Sequence, residues 1–412
     1  MNLAGNKSFS SPTCLVVPAI VLLVGCMVFF PSAVYEASKA GVTAWWNIVF
    51  PALLPFFVSS ELLMSYGVIQ FMGVILEPVM RPLFNLPGAA SFVMAVGYTS
   101  GFPISASLAA RLRKENICTR HEAERLMSFT NNSSPLFMLV AVGVGMFRNP
   151  RLGVLIALTH YAANILIGLV LRFYKTREPQ TKAGRPSFGN LFGRALTEMQ
   201  QAIRSNPRRF GRIMGEAITS SVNKLLVIGG FVIIFAVIIR VSVIIGLASA
   251  ISDTIGFAAV PLGFTKSTVN ALSSGFFEIT LGTKAAAEAA GPVSQKLAAA
   301  GMILGWSGVS VLAQVSAMIS ETDLRMGLFV ICRFIHSILA GAFCFLLANF
   351  EPVKAWLAKP VTTTWPIPAT NFPWLANFLY CSRLCLYVIA AWALAAVVVY
   401  VVRSFSLIRF KV

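Results

Sequence analysis

Charge is scarce in this chain. Of its 412 residues, 12% are charged, about half the share usual in soluble domains, while 57% are hydrophobic. That balance excludes an ordinary soluble globular protein. Acidic residues are the scarcest: 15 Asp and Glu stand against 33 Lys and Arg, for a net charge of +18. Three histidines and seven cysteines form neither a CxxC pair nor any His/Cys group at metal-ligand spacing, so no zinc site is written here. Five of the cysteines lie in apolar runs and read as packing residues. No Walker A loop, GxSxG elbow, HExxH pair or catalytic triad is present. ATP-driven transport and hydrolysis are therefore not encoded by known motifs in this chain, and neither an enzyme nor a cofactor is expected.

Long apolar runs recur from end to end. A membrane span needs about 20 apolar residues. Residues 384–402 lie between Arg383 and Arg403 without a charge, and as a helix they would cover about 28 Å. The runs predict an all-α polytopic membrane protein with about eight spanning helices, near 13–30, 41–62, 119–147, 150–172, 224–247, 293–319, 325–349 and 377–402. Residues 15–30 also have the outline of a signal-peptide core, but their length favours an uncleaved helix. Residues 66–82 read as an interfacial helix.

The basic residues fall between these runs, as cytoplasmic loops do under the positive-inside rule. They point to the lipid bilayer as partner. They are not interleaved with stacking aromatics, so nucleic acid is not expected. The segment 172–224 carries Arg172, Lys175, Arg177, Arg194, Arg204, Arg209, Arg212 and Lys224 among others, against Glu178, Glu198 and Glu216. It reads as a cytoplasmic loop. The resulting division is an N-terminal helix (1–40), a first repeat (41–172), the basic loop (173–223), a second repeat (224–349), an extracytoplasmic loop (350–376) and a last helix with its tail (377–412).

The repeat rests on short polar breaks. Thr99-Ser100-Gly101-Phe102 matches Ser273-Ser274-Gly275-Phe276 at an offset of 174 residues. Leu86-Pro87-Gly88 precedes the first copy and Pro261-Leu262-Gly263 the second. Thirty residues beyond Gly101 comes Asn131, in the break Thr130-Asn131-Asn132-Ser133-Ser134-Pro135. Thirty beyond Gly275 comes Gly305, followed by Ser307. Each half thus predicts a re-entrant hairpin (88–112 and 262–290) followed by a helix broken near its middle. An odd number of crossings between the halves makes this an inverted-topology repeat, with a substrate site at the midplane. Unpaired backbone groups are costly in hydrocarbon and are tolerated where they line a cavity. The half-helices starting after Gly101 and Ser134 offer free N–H groups to an anion. Thr99, Ser100, Gly101, Thr130, Asn131, Asn132, Ser133, Ser134, Ser273, Ser274, Gly275, Ser307 and Gln314 are the candidate substrate-binding residues. The competing reading is helix packing by small residues.

Glu278, just past the second tip, has Ile104 as its counterpart in the first half. An intramembrane carboxylate normally faces a cavity or a partner. It reads either as a coupling or gating site for a proton or cation, or as the structural partner of Lys284 or Lys266. His160 and His336 read as interhelical hydrogen bonders rather than proton relays.

Pro51-Ala-Leu-Leu-Pro-Phe-Phe57, Leu76-Glu-Pro-Val-Met-Arg-Pro-Leu-Phe-Asn-Leu-Pro-Gly88, Thr99-Ser-Gly-Phe-Pro103, Ala110-Arg-Leu-Arg-Lys-Glu115 and Glu122-Ala-Glu-Arg-Leu-Met-Ser-Phe-Thr-Asn-Asn-Ser-Ser-Pro135 resemble one family closely. It is the family of sporulation integral membrane proteins with nucleoside-recognition (Gate) domains. The resemblance covers roughly residues 40–350 and is strongest over 50–140. It implies a role in endospore formers, moving dipicolinic acid from the mother cell across the outer forespore membrane. It also implies a fold similar to concentrative nucleoside transporters. The expected partner is a small anionic aromatic substrate. A nucleoside or nucleobase symporter and a non-transporting membrane scaffold are the alternatives, and a homo-oligomer is open beside a monomer.

Overall fold

The computed structural model describes residues 11–176, 178, 181, 191–205, 209–358, 379 and 382–383. Among these the regular structure is helical. The expected helix at 377–402 apart from 379, 382 and 383, the C-terminal tail and most of the 350–376 loop lie outside the described residues.

The N-terminal helix α1 (Ser11–Phe29) is followed directly by α2 (Pro31–Ala44), bent 105° from it. Residues 31–40, assigned from sequence to the N-terminal helix segment, thus belong to a second helix. Pro31 opens α2, where a missing N–H costs nothing. A π-helical turn (Trp45–Val49) leads into α3 (Phe50–Ser65), and α4 (Val68–Phe84) turns away from it by 83°. The turn is made at Gly67, in the left-handed region at φ 71°.

The first hairpin is α5 (Ala90–Ser100) and α6 (Ile104–Lys114), close to the expected 88–112. Next comes α7 (Arg120–Thr130), started by a reciprocal capping box in which Thr119 and Glu122 satisfy each other's backbone N–H groups. The break Asn131–Ser134 then separates α7 from a π-helical segment (Phe137–Met146). After it runs α8 (Pro150–Leu171), capped by Asn149, whose side chain accepts from the Arg151 N–H at 3.0 Å.

The basic segment is not simply a loop. It contains α9 (Leu191–Ser205), whose apolar stripe packs on α4 through Phe192 against Phe71, and the first turns of α10 (Phe210–Ile244). Two further helices follow in sequence, α11 (Leu247–Ala259) and then α12 (Lys266–Phe277). With α13 (Ile279–Glu288), α12 forms the second hairpin, within the expected 262–290. A second broken helix, α14 (Val293–Trp306) and α15 (Gly308–Ile319), parts at Ser307, which sits at φ 72°. The last full-length element is α16 (Met326–Asn349); a short α17 (Glu351–Ala358) occupies the start of the segment expected to be irregular.

Four helices among the described residues are long and apolar enough to cross a membrane, or up to six if each bent pair is one span. Residues 119–147, expected as a span broken near its middle, are two short pieces on either side of the break. The main core joins both halves: Leu126, Met127 and Phe129 of α7 belong to the same buried cluster as Ile303, Leu304 and Phe329. On one edge, α2 and α3 pack along α10, with the Trp45 indole N–H donating to the Leu225 carbonyl at 3.0 Å.

Candidate functional site

A cavity of about 1460 Å³ lies between that edge and the two broken helices. One wall comes from α2, the π-helical turn, α3 and α10, including Lys39, Thr43, Asn47, Ile228 and Val232. The opposite wall carries the first tip (Ser100, Gly101, Phe102), the first break (Ser133, Ser134), the second tip (Glu278, Ile279, Thr280) and α15 (Ser310, Gln314). Tips and breaks from both halves thus meet one space.

Each element delivers its residue for a local reason. Helix α5 ends at Gly101, whose φ of 84° and ψ of −165° belong to a region open essentially to glycine. That turn sets the Gly101 backbone against Ser134. Ser134 accepts from the Phe137 N–H at 3.1 Å, so this half-helix start is capped from within rather than left free. The N-terminus of α6, by contrast, has no side-chain cap. Glu278 is buried, and its carboxylate accepts from the Leu281 N–H at 2.8 Å, capping α13. The structural pairing with Lys284 is not made. Lys284 lies 4.0 Å from Glu288, and both line the cavity.

Of the expected residues, Ser100, Gly101, Ser133, Ser134, Gln314 and Glu278 line the cavity. The others are spent elsewhere. Thr99 and Thr130 donate to carbonyls of their own helices, Ala95 at 2.9 Å and Leu126 at 2.7 Å. Asn131 accepts from the Ser105 hydroxyl at 3.0 Å. Asn132 donates to the Phe129 carbonyl at 3.2 Å and accepts from Asn164. Ser273 donates to the Ala248 carbonyl at 2.8 Å, Ser274 to the Asn270 carbonyl at 3.2 Å, and Ser307 to the Trp306 carbonyl. Gly275 packs against Ile303. Asn131, Asn132, Ser273, Ser274 and Ser307 are not among the residues that line the cavity.

Of three cations of the cavity wall, Lys39 and Arg148 were not singled out from sequence, and Lys284 was named only as a structural partner for Glu278. The signal that could have found them is a basic residue at the end of an apolar run. Behind the first break lies a second unforeseen group. Arg333 of α16 is fully buried, and His336 bonds across to the His160 carbonyl at 2.9 Å. That last contact is an interhelical hydrogen bond of the kind expected for these histidines.

The fold and cavity define an integral membrane protein of apolar helices with polar breaks gathered inside. The nucleoside-recognition (Gate) family model matches residues 47–159. The chain is 42% identical over 358 residues to the sporulation integral membrane protein YlbJ of Bacillus subtilis (strain 168), covering 86% of this chain and 85% of that one. It is also 30% identical over 135 residues to an uncharacterised protein of Alkalihalophilus pseudofirmus, covering 31% of this chain and 29% of that one. This chain belongs to the sporulation integral membrane protein family of YlbJ.

Proposed function

We propose that this protein is a secondary transporter for a small aromatic dicarboxylate. The substrate that fits best is dipicolinic acid, moved out of the mother-cell cytoplasm across the outer forespore membrane. The observation that carries the reading is the cavity itself. Backbone breaks from both halves open onto one space between helices, lined by three cations (Lys39, Arg148, Lys284) and three carboxylates (Glu36, Glu278, Glu288). Irregular backbone at membrane depth is tolerated where it lines such a space, and an inverted repeat accounts for its appearance once in each half. Two carboxylates on a flat ring suit Lys39 and Arg148, since Lys284 already lies 4.0 Å from Glu288.

A nucleoside symporter is the second reading, favoured by the match to the nucleoside-recognition model over 47–159. Purified full-length protein in proteoliposomes decides between them by uptake of radiolabelled dipicolinate and uridine, each competed by the other. Dipicolinate uptake unaffected by excess uridine is expected. Uridine uptake alone would establish the second reading, and uptake of neither would leave a membrane scaffold.

Glu278 is proposed to couple or gate this movement. Gln in its place still offers an oxygen to the Leu281 N–H, so Glu278→Gln keeps the α13 cap. The expected outcome is retained dipicolinate binding with a flattened pH dependence of uptake. An unchanged rate and pH profile would show that the carboxylate serves only as a cap.

A further inference from the structure

Arg333 sits in the middle of α16, fully buried, and takes part in none of the ion pairs among the described residues. A guanidinium does not lose its proton in a protein, so this is a permanent charge in a low-dielectric interior. Its partners are neutral oxygens. It donates to the Asn131 carbonyl, the Ser128 carbonyl and the Asn164 side-chain oxygen, each at 2.9 Å. Its Nε finds no partner. Two of the three acceptors are carbonyls at the C-terminal end of α7, where the helix dipole is negative. The bonds explain how the side chain is tolerated; they do not cancel its charge. Glu278, the buried carboxylate of the cavity wall, is held by α13 instead.

The group it holds leads straight to the cavity. Asn131 is two residues from Ser133, which lines the cavity wall. Two residue steps of 3.8 Å and the 2.9 Å hydrogen bond set the guanidinium within about 10 Å of that wall. We propose that Arg333 is a fixed positive charge that makes the cavity prefer doubly over singly charged anions, acting through the Asn131–Ser134 break without touching the solute. The inference rests on the anion-transport reading above and adds its charge selectivity. Arg333 is on this view a positioning residue and a counter-charge together. At an effective dielectric of about 20, one unit charge at about 10 Å favours each added negative charge by about tenfold.

Asn164→Asp is the sharpest test. The new carboxylate occupies the place of an amide that already accepts from Arg333, so the hydrogen bond is kept and the charge is neutralised. Asn132, whose side-chain oxygen accepts from Asn164, would turn its amide to donate to the new carboxylate and give up its bond to the Phe129 carbonyl. The measurement is initial uptake of pyridine-2,6-dicarboxylate and of pyridine-2-carboxylate by proteoliposomes of the full chain, with thermal unfolding of the same preparations. The ratio of the two uptakes should fall about tenfold in Asn164→Asp, with stability equal to or above the unsubstituted protein. Arg333→Gln should lower the ratio equally, and Arg333→Lys should restore it in part through charge alone. An unchanged ratio in a folded Asn164→Asp overturns the inference. So does an Asn164→Asp that cannot be obtained folded, since a carboxylate beside an uncompensated buried cation must not destabilise. Unsubstituted protein that moves neither compound fails the transport reading and this inference together.

Discussion

Replacing Gly101 with alanine should abolish uptake and lower stability by about 3 kcal/mol. Two independent costs meet at this position. The backbone lies at φ 84° and ψ −165°, a conformation that side chains avoid and that costs on the order of 1–3 kcal/mol for anything but glycine. A Cβ there would also lie 2.8 Å from the Ser134 nitrogen and 3.0 Å from the Ser134 Cβ. Neither neighbour is the free end of a flexible side chain. Ser134 belongs to the break and is tied to Phe137, so relieving the clash means moving the break. Both structures face the cavity, and the loss of uptake should exceed what the loss of stability explains. Thermal unfolding in detergent and uptake in proteoliposomes measure the two separately. A Gly101→Ala protein that transports at the unsubstituted rate would show that the tip geometry is not used.

The polar breaks were legible because glycine, proline and serine interrupt apolar runs at spacings that no continuous helix tolerates. Hence the hairpins at Ala90–Lys114 and Lys266–Glu288 fall close to the expected 88–112 and 262–290. Which side chains of a break face the cavity was not legible. Helical periodicity assigns faces only while the helix continues, and Asn131 and Asn132 lie where it stops. Their inward orientation depends on Ser105, Asn164 and Arg333, and the last is 202 residues from Asn131 in sequence. Helix α2 was missed for another reason. Its segment is too polar to register as a span, and it gains its helical state by packing along α10 through Gly41, whose Cβ position is 2.9 Å from the Ile233 backbone. Helix α9 has a strong apolar stripe, but net charge dominated the reading of its surroundings. Amphipathic periodicity inside a basic segment was the signal that could have found it. The role of the cavity-wall cations belongs to the same class of omission. Lys39 and Lys284 come from different halves, and only the folded arrangement sets them around one space.

The second hairpin should be as intolerant as the first, for a purely steric reason. At Gly282, within α13, alanine ought to help by about 1 kcal/mol on helix propensity alone. The expected outcome is the opposite sign. A Cβ at Gly282 would overlap the Gly275 Cα and lie 2.5 Å from the Gly275 nitrogen, so two helix backbones touch where the hairpin arms cross. Small residues at such a crossing are what allows the arms to approach. Separating them strains both arms, at a cost typical of overpacking, about 1–3 kcal/mol or more, which outweighs the propensity gain. Gly275→Ala provides the contrast. Its Cβ would meet the side chain of Ile303, at Cγ1 and at Cγ2 (2.8 Å), so the clash falls on one side chain of α14 rather than on a second backbone. Gly282→Ala should therefore unfold at lower temperature than Gly275→Ala. It should also displace Glu278, the cap that opens α13, and so reduce uptake along with stability. Equal unfolding temperatures for the two variants would mean that the arms separate freely, and the close crossing would then carry no weight in shaping the cavity wall.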